Sequence, residues 1–128
     1  MYTFELSLQY RKAVKERNLD AVLALFSPDA MIITPLKGNC DVGTYHEWFF
    51  GTVKRSTVKV INAFQALNSE ICLAVLAEYE WLMHDDKVIN FSGMSVFDFT
   101  PDKREIKKMS TFYDTSIVRP QLAASGYD

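Results

Sequence analysis

The stretch LDAVLALFSPDAMIITP, residues 19–35, takes the chain from helix to strand. Residues 19–26 have helical spacing, with Asp20 in the first turn, where a carboxylate complements the helix dipole. Ser27, Pro28 and Asp29 spell a turn, because proline fixes φ and the two polar side chains bond locally. Residues 30–34 form an apolar strand that Pro35 stops. Upstream, Phe4, Leu8, Ala13 and Val14 recur at helical spacing against Gln9, Lys12 and Glu16. They predict a helix over residues 3–17 that Asn18 breaks. Downstream, residues 36–41 read as a loop. Asp41 then caps a helix over residues 42–53 that carries Tyr45, Trp48, Phe49 and Phe50.

From Thr57 the period changes to two, with Val58, Val60, Asn62 and Phe64 alternating with Thr57, Lys59 and Ile61. Residues 70–83 form a long strand with Leu73, Val75, Ala77, Tyr79 and Trp81 on one face. His84, Asp85 and Asp86 turn it back. Residues 87–99 return with Phe91, Gly93, Ser95, Phe97 and Phe99 on one face. After a turn at residues 100–102, the strand over 105–115 places Ile106, Lys108, Ser110, Phe112 and Asp114 together. The tail from Ile117 reads as irregular.

Helices first and sheet second is an α+β order. Strands of about ten residues, against the usual five or six, must twist and coil. The sheet therefore curls into a cone with its more aromatic faces inside. The convex face is left with Cys72, Ala74, Leu76, Met94, Val96, Met109 and Tyr113. That face is too apolar for water, and it predicts a homodimer joined sheet to sheet.

At 128 residues the chain makes one domain, spanning 1–128, that buries about two thirds of its unfolded surface. A net charge of -2 gives no basic field for nucleic acid or a membrane surface. The basic group at residues 103–108 reads as a solvated hairpin tip. Cys40 and Cys72 form no disulfide framework, and neither a metal cluster nor a cofactor motif is present. The N-terminal residues lack the pattern of a signal peptide, and no apolar run could span a membrane. These features point to a cytoplasmic protein with reduced thiols.

The segments NLDAVLALFSPDAMIITP (18–35), EWFF (47–50) and REIKKMSTFYDTS (104–116) resemble the SnoaL-like branch of the nuclear transport factor 2-like (cystatin-like) superfamily. The resemblance runs over about residues 5–118. It implies a conical α+β fold, with N-terminal helices packed on a strongly curved, mainly antiparallel sheet, a pocket in the cone and a dimer. The superfamily holds isomerases, dehydratases, epoxide hydrolases, polyketide cyclases and non-catalytic domains, so it does not choose the chemistry. Its ketosteroid isomerase branch needs a tyrosine on the first helix, a base carboxylate ending the first strand and a second, protonated carboxyl. Matching places these at Tyr10, Thr34 and Ser95. Two of the three groups are missing, which excludes steroid isomerisation by that route.

Asp114 is then the candidate acid or base. Strand parity puts it beside Ser110 and Phe112, where an aromatic wall would raise its pKa by desolvation. The alternative is a rim carboxylate that caps the Thr115-Ser116 turn. Tyr10 would donate its phenol to a ligand oxygen, or else be a helix tyrosine with its ring in the core. By the same parity Lys108 turns inward, or snorkels to the rim. Neither His46 nor His84 faces the pocket clearly enough to serve as a base. Trp48, Phe49, Val75, Tyr79, Trp81, Phe97 and Phe112 line the cone with Thr34, Ser95 and Ser110. Such a lining suits a small, flat, mainly apolar ligand. Two functions follow. One is a small-ligand-binding protein supporting cofactor-free isomerisation, dehydration or cyclisation; the other is a non-catalytic binding or dimerisation module.

Overall fold

The computed structural model describes residues 2–69 and 71–127. The chain runs α1 (Tyr2–Lys15), α2 (Leu19–Ala24), β1 (Phe26–Thr34), β2 (Gly38–Asp41), α3 (Val42–Thr52), β3 (Val53–Gln65), β4 (Cys72–Met83), β5 (Val88–Phe99), β6 (Ile106–Tyr113) and α4 (Thr115–Ala124). The strands form one sheet in the order β2-β1-β6-β5-β4-β3. β1 and β6 run parallel, and every other pair is antiparallel.

The first helices follow their caps. Asn18 closes α1 and opens α2, its side chain accepting from the Ala21 amide at 3.0 Å. Asp41 does the same for α3, accepting from the Thr44 amide at 3.2 Å. Each satisfies an amide that the helix itself leaves unpaired. On α1 the buried stripe is Thr3, Leu6, Ser7, Tyr10 and Ala13, at spacings of three and four. Leu8 falls outside it and is exposed. Arg17 ties α1 to α3 by donating to the carbonyls of Phe50, Val53 and Lys54.

β4 and β5 alternate strictly. Leu73, Val75, Ala77, Tyr79 and Trp81 on β4 are buried, as are Phe91, Gly93, Ser95, Phe97 and Phe99 on β5. Gly93 is required where it stands. A Cβ there would lie 2.9 Å from the Phe112 carbonyl and 3.2 Å from the Tyr79 ring.

Bulges bend the sheet and reset its faces. On β6, Phe99 pairs with Ile106 but Asp98 pairs with Lys108, so Lys107 is an extra residue. On β3, Val60 pairs with Ala77 and Asn62 with Leu76, which makes Ile61 extra. Each insertion turns the following side chains to the opposite face. This corrects the parity expected for β6. Met109, Thr111 and Tyr113 belong with Phe97, Ser95 and Gly93 on the concave side. Lys108, Ser110 and Phe112 lie on the convex side, with Phe112 58% exposed. Beyond Ile61, Asn62 and Phe64 likewise turn convex while Val58 and Val60 stay concave.

Three further differences have local causes. The Ser27–Asp29 segment is an irregularity inside β1, which already begins at Phe26; Pro28, with no amide to donate, is tolerated there. Residues 38–41 are not a loop but a short strand pairing with β1, entered through Gly38 at φ +64°. The C-terminal segment is a helix, α4, capped by Asp114. It buries Val118 and Leu122 and lies against the start of β5.

Candidate functional site

Helices α1 and α3 cover only part of the concave sheet face, and a cavity of about 330 Å³ remains between them and strands β3 to β6. This is the low end of the range that holds small ligands. Tyr45 and Phe49 of α3 form one wall. Tyr79 and Trp81 of β4, Phe91 of β5 and Tyr113 of β6 form the other. Tyr79 and Phe91 are stacked, with centroids 5.1 Å apart, and Trp81 stands edge-on to Phe91 at 4.8 Å. Exposed Lys12 and Lys15 and half-buried Ser56 and Val58 mark the mouth, between α1 and β3.

Behind this lining, Tyr10 meets His46, which has no exposed surface. The Tyr10 hydroxyl and His46 Nε2 are 2.8 Å apart, and His46 Nδ1 is 2.8 Å from the Val42 carbonyl. A carbonyl can only accept, so Nδ1 carries a proton and donates it. Burial pushes the His46 pKa down to about 4, leaving the ring neutral and Nε2 an acceptor. Tyr10 therefore donates to Nε2. Its phenol proton is committed away from the cavity, which removes the oxyanion-donor role expected for it. Burial also raises the Tyr10, Tyr45 and Tyr113 phenols above their usual range, so all three stay protonated at neutral pH.

A second chain of polar groups crosses the cavity wall. Arg11 Nη2 donates to the Tyr79 hydroxyl at 3.3 Å, and its guanidinium lies 5.5 Å from the centre of that ring. Tyr79 is 3.1 Å from Ser95 Oγ, which is 3.4 Å from Thr111 Oγ1. Arginine can only donate, so the Tyr79 oxygen accepts from it; in the Tyr79–Ser95 and Ser95–Thr111 pairs either hydroxyl can be the donor. Arg11 Nε is buried and has no hydrogen-bond partner. Among the described residues, neither aspartate nor glutamate lines the cavity.

The cavity thus gathers Tyr10, Phe49, Tyr79, Trp81 and Ser95 from the residues expected in it. Val75 and Phe97 are packed in the core instead, at 1% and 0% exposure. Thr34 is buried and accepts from the Lys37 amide at 3.0 Å. Trp48 packs partly buried beneath Lys37, whose Nζ lies 4.5 Å from a Trp48 ring centre. Ser110 and Phe112 are on the convex face because of the Lys107 bulge. Lys108 goes with them and lies 3.9 Å from Asp98. Asp114 is exposed and accepts from the Ser116 amide and hydroxyl at 2.9 and 2.6 Å. Those bonds lower its pKa, the reverse of the shift a desolvated base needs. Sequence reading passed over Arg11, Thr111 and Tyr113. Arg11 had a signal, being the residue next to Tyr10 and one helical turn before Lys15.

No family model matches the chain, and no curated protein matches it. Solved structures do. A SnoaL-like polyketide cyclase from Shewanella denitrificans OS-217 superimposes with a TM-score of 0.77 at 14% identity, over 95% of this chain and 97% of that one. A nuclear transport factor 2-like protein of unknown function from Burkholderia pseudomallei gives 0.76 at 13% identity, over 95% and 98%. Δ5-3-ketosteroid isomerase from Mycobacterium sp. gives 0.76 at 12% identity, over 91% and 95%. The chain has the conical α+β fold of the nuclear transport factor 2-like superfamily. Within it, SnoaL-like cyclases, isomerases and proteins of unknown function are equally near, so the fold is shared and the lining distinguishes.

Proposed function

We propose that this protein binds a small aromatic molecule in its cone and acts as a binding protein rather than an acid/base catalyst. One observation carries the reading: the cavity is open and aromatic but holds no base. Among the described residues the lining has no carboxylate, and His46, behind it, has its acceptor nitrogen filled by Tyr10. An empty, walled cavity argues against a domain whose aromatics merely fill its core. The two free thiols, Cys40 and Cys72, fit a reducing, cytoplasmic setting. The apolar convex face supports a homodimer.

A second reading rests on the Tyr10–His46 pair. The Tyr10 oxygen could take a proton from a ligand C–H while its own proton moves to His46 Nε2, leaving an enolate and an imidazolium. One experiment separates the two. The bicyclic ketone 2-tetralone, added in D2O, should shift the methyl resonances of Val58 and Thr111 while its α-protons exchange no faster than in buffer. Exchange accelerated by the protein and abolished by His46→Gln would replace the binder with the catalyst. Unmoved Val58 and Thr111 resonances would overturn both.

A further inference from the structure

The reading above leaves the ligand's charge open, and the cavity's own electrostatics address it. The chain as a whole is acidic, at -2. Among the described residues the lining inverts that balance: it contains Arg11, Lys12 and Lys15 and not one aspartate or glutamate. None of the three cations forms an ion pair among the described residues. Lys12 and Lys15 are exposed at the mouth, where water solvates them. Arg11 is different. Its guanidinium is held against Tyr79 by one hydrogen bond and by the ring face, while its Nε is shut off from solvent without an acceptor. A buried donor left unpaired costs free energy that an incoming acceptor would return. The guanidinium fork matches two oxygens of an anion.

We propose that the natural ligand is a planar aromatic acid whose carboxylate or acidic enolate sits on Arg11. This rests on the binding function proposed above and adds the substrate class. The ring system of such a ligand would lie against the aromatic lining, which Phe49 and Trp81 close on one side by meeting edge-on at 5.4 Å. The ligand's anionic oxygens would pair with the Arg11 guanidinium, the side chain turning its covered Nε–H into the cavity to meet them, with the Thr111 hydroxyl as a second donor. Tyr79 then positions the guanidinium by accepting from Nη2. Lys12 and Lys15 raise the local concentration of anions at the mouth, an effect that salt screens.

The test uses two probes of one shape, 2-naphthoate and 2-naphthamide, titrated by calorimetry into the intact protein. Naphthoate should bind at least about tenfold more tightly, the size of a charge-assisted hydrogen bond. Arg11→Met should erase that preference, while Arg11→Lys should keep part of it. Naphthoate should also move the Arg11 Nε–H resonance downfield, a signal that binding on the outer sheet face would not produce. Equal affinity for the two probes in the wild type would overturn the anionic ligand and leave the binding cavity standing. Binding of neither would overturn both. The wild-type comparison and the Nε–H signal decide the matter even if Arg11→Met fails to fold.

Discussion

His46 was legible as a helix histidine turned away from Trp48, but not as the residue that orients Tyr10, because that depends on where α3 meets α1. Its burial has a measurable consequence. A histidine whose folded pKa lies near 4 and whose unfolded value is 6.5 stays neutral in the fold while the unfolded chain takes up a proton. Stability is therefore full above pH 6.5 and falls as the pH drops towards 4. The total loss is on the order of 3 kcal/mol. Thermal unfolding of wild type and His46→Gln between pH 7.5 and 4.5 should show the gap between them narrowing as the pH falls. A gap of constant size would mean that His46 titrates normally. The aromatic candidates divide on similar grounds. Phe49 and Tyr79 were readable as inward-facing from spacing alone. Sequence could not show that Val75 and Phe97 are packed over while Tyr79 and Phe91 stay open, because that depends on how far α1 and α3 reach across the sheet. Arg11 escaped notice because a cation on a helix ordinarily reads as solvated surface.

The elements show where period-two reading fails. β4 and β5 carry no bulge along their common ladder, and their faces follow the alternation residue by residue. β6 begins in register and loses it at Lys107, a residue whose side chain carries no mark of a bulge. One unseen insertion sent Ser110, Phe112, Lys108 and Asp114 to the wrong side in the sequence reading, and hid Thr111 and Tyr113. α4 was concealed by Pro120, although Asp114 and Gly126 bracket it and Val118 and Leu122 stand four apart. β2 is four residues long with no buried position, so it has no pattern to read. The bulge can be tested directly. Deleting Lys107 would restore simple alternation and leave Lys108 opposite Asp98 and Met109 opposite Phe97, so that Met109 and Tyr113 stay concave and Lys108 and Phe112 convex. The expected loss is within about 3 kcal/mol, the ordinary range for a single change. Lys107→Ala keeps the backbone count and should stay within about 0.5 kcal/mol of wild type. Denaturant titration of both variants measures this, and a deletion that unfolds the protein would mean that the bulge itself, and not only the pairing on either side of it, holds β6 in the sheet.

At the scale of the molecule, one cone serves isomerases, cyclases and proteins of unknown function at identities of 10–17%, so what is particular to this chain lies in its surfaces, inner and outer. The inner one is cationic and aromatic. The outer one has two halves. The register sets Phe64, Ala74, Val96 and Ser110 in one row across the sheet and Asn62, Leu76, Met94 and Phe112 in the next. Towards the other end of β4 the same face carries Glu78 and Glu80, opposite Ser92 and Asn90. Six strands at about 4.8 Å spacing span about 24 Å, and strands of 12 residues run about 40 Å. That face can supply the roughly 800 Å² per partner of a stable interface, with an apolar centre and a polar rim. Leu76 lies near the middle of the apolar rows. In the sheet-to-sheet dimer proposed above, Leu76→Lys would place an ammonium against its own symmetry mate and should convert that dimer to monomer at micromolar concentration. It should leave binding in the cone unchanged, because Leu76 points away from the cavity. Sedimentation velocity on both proteins decides it. A wild type that sediments as a monomer would show that these rows face water in solution, and a dimer indifferent to Leu76→Lys would place the interface on another face.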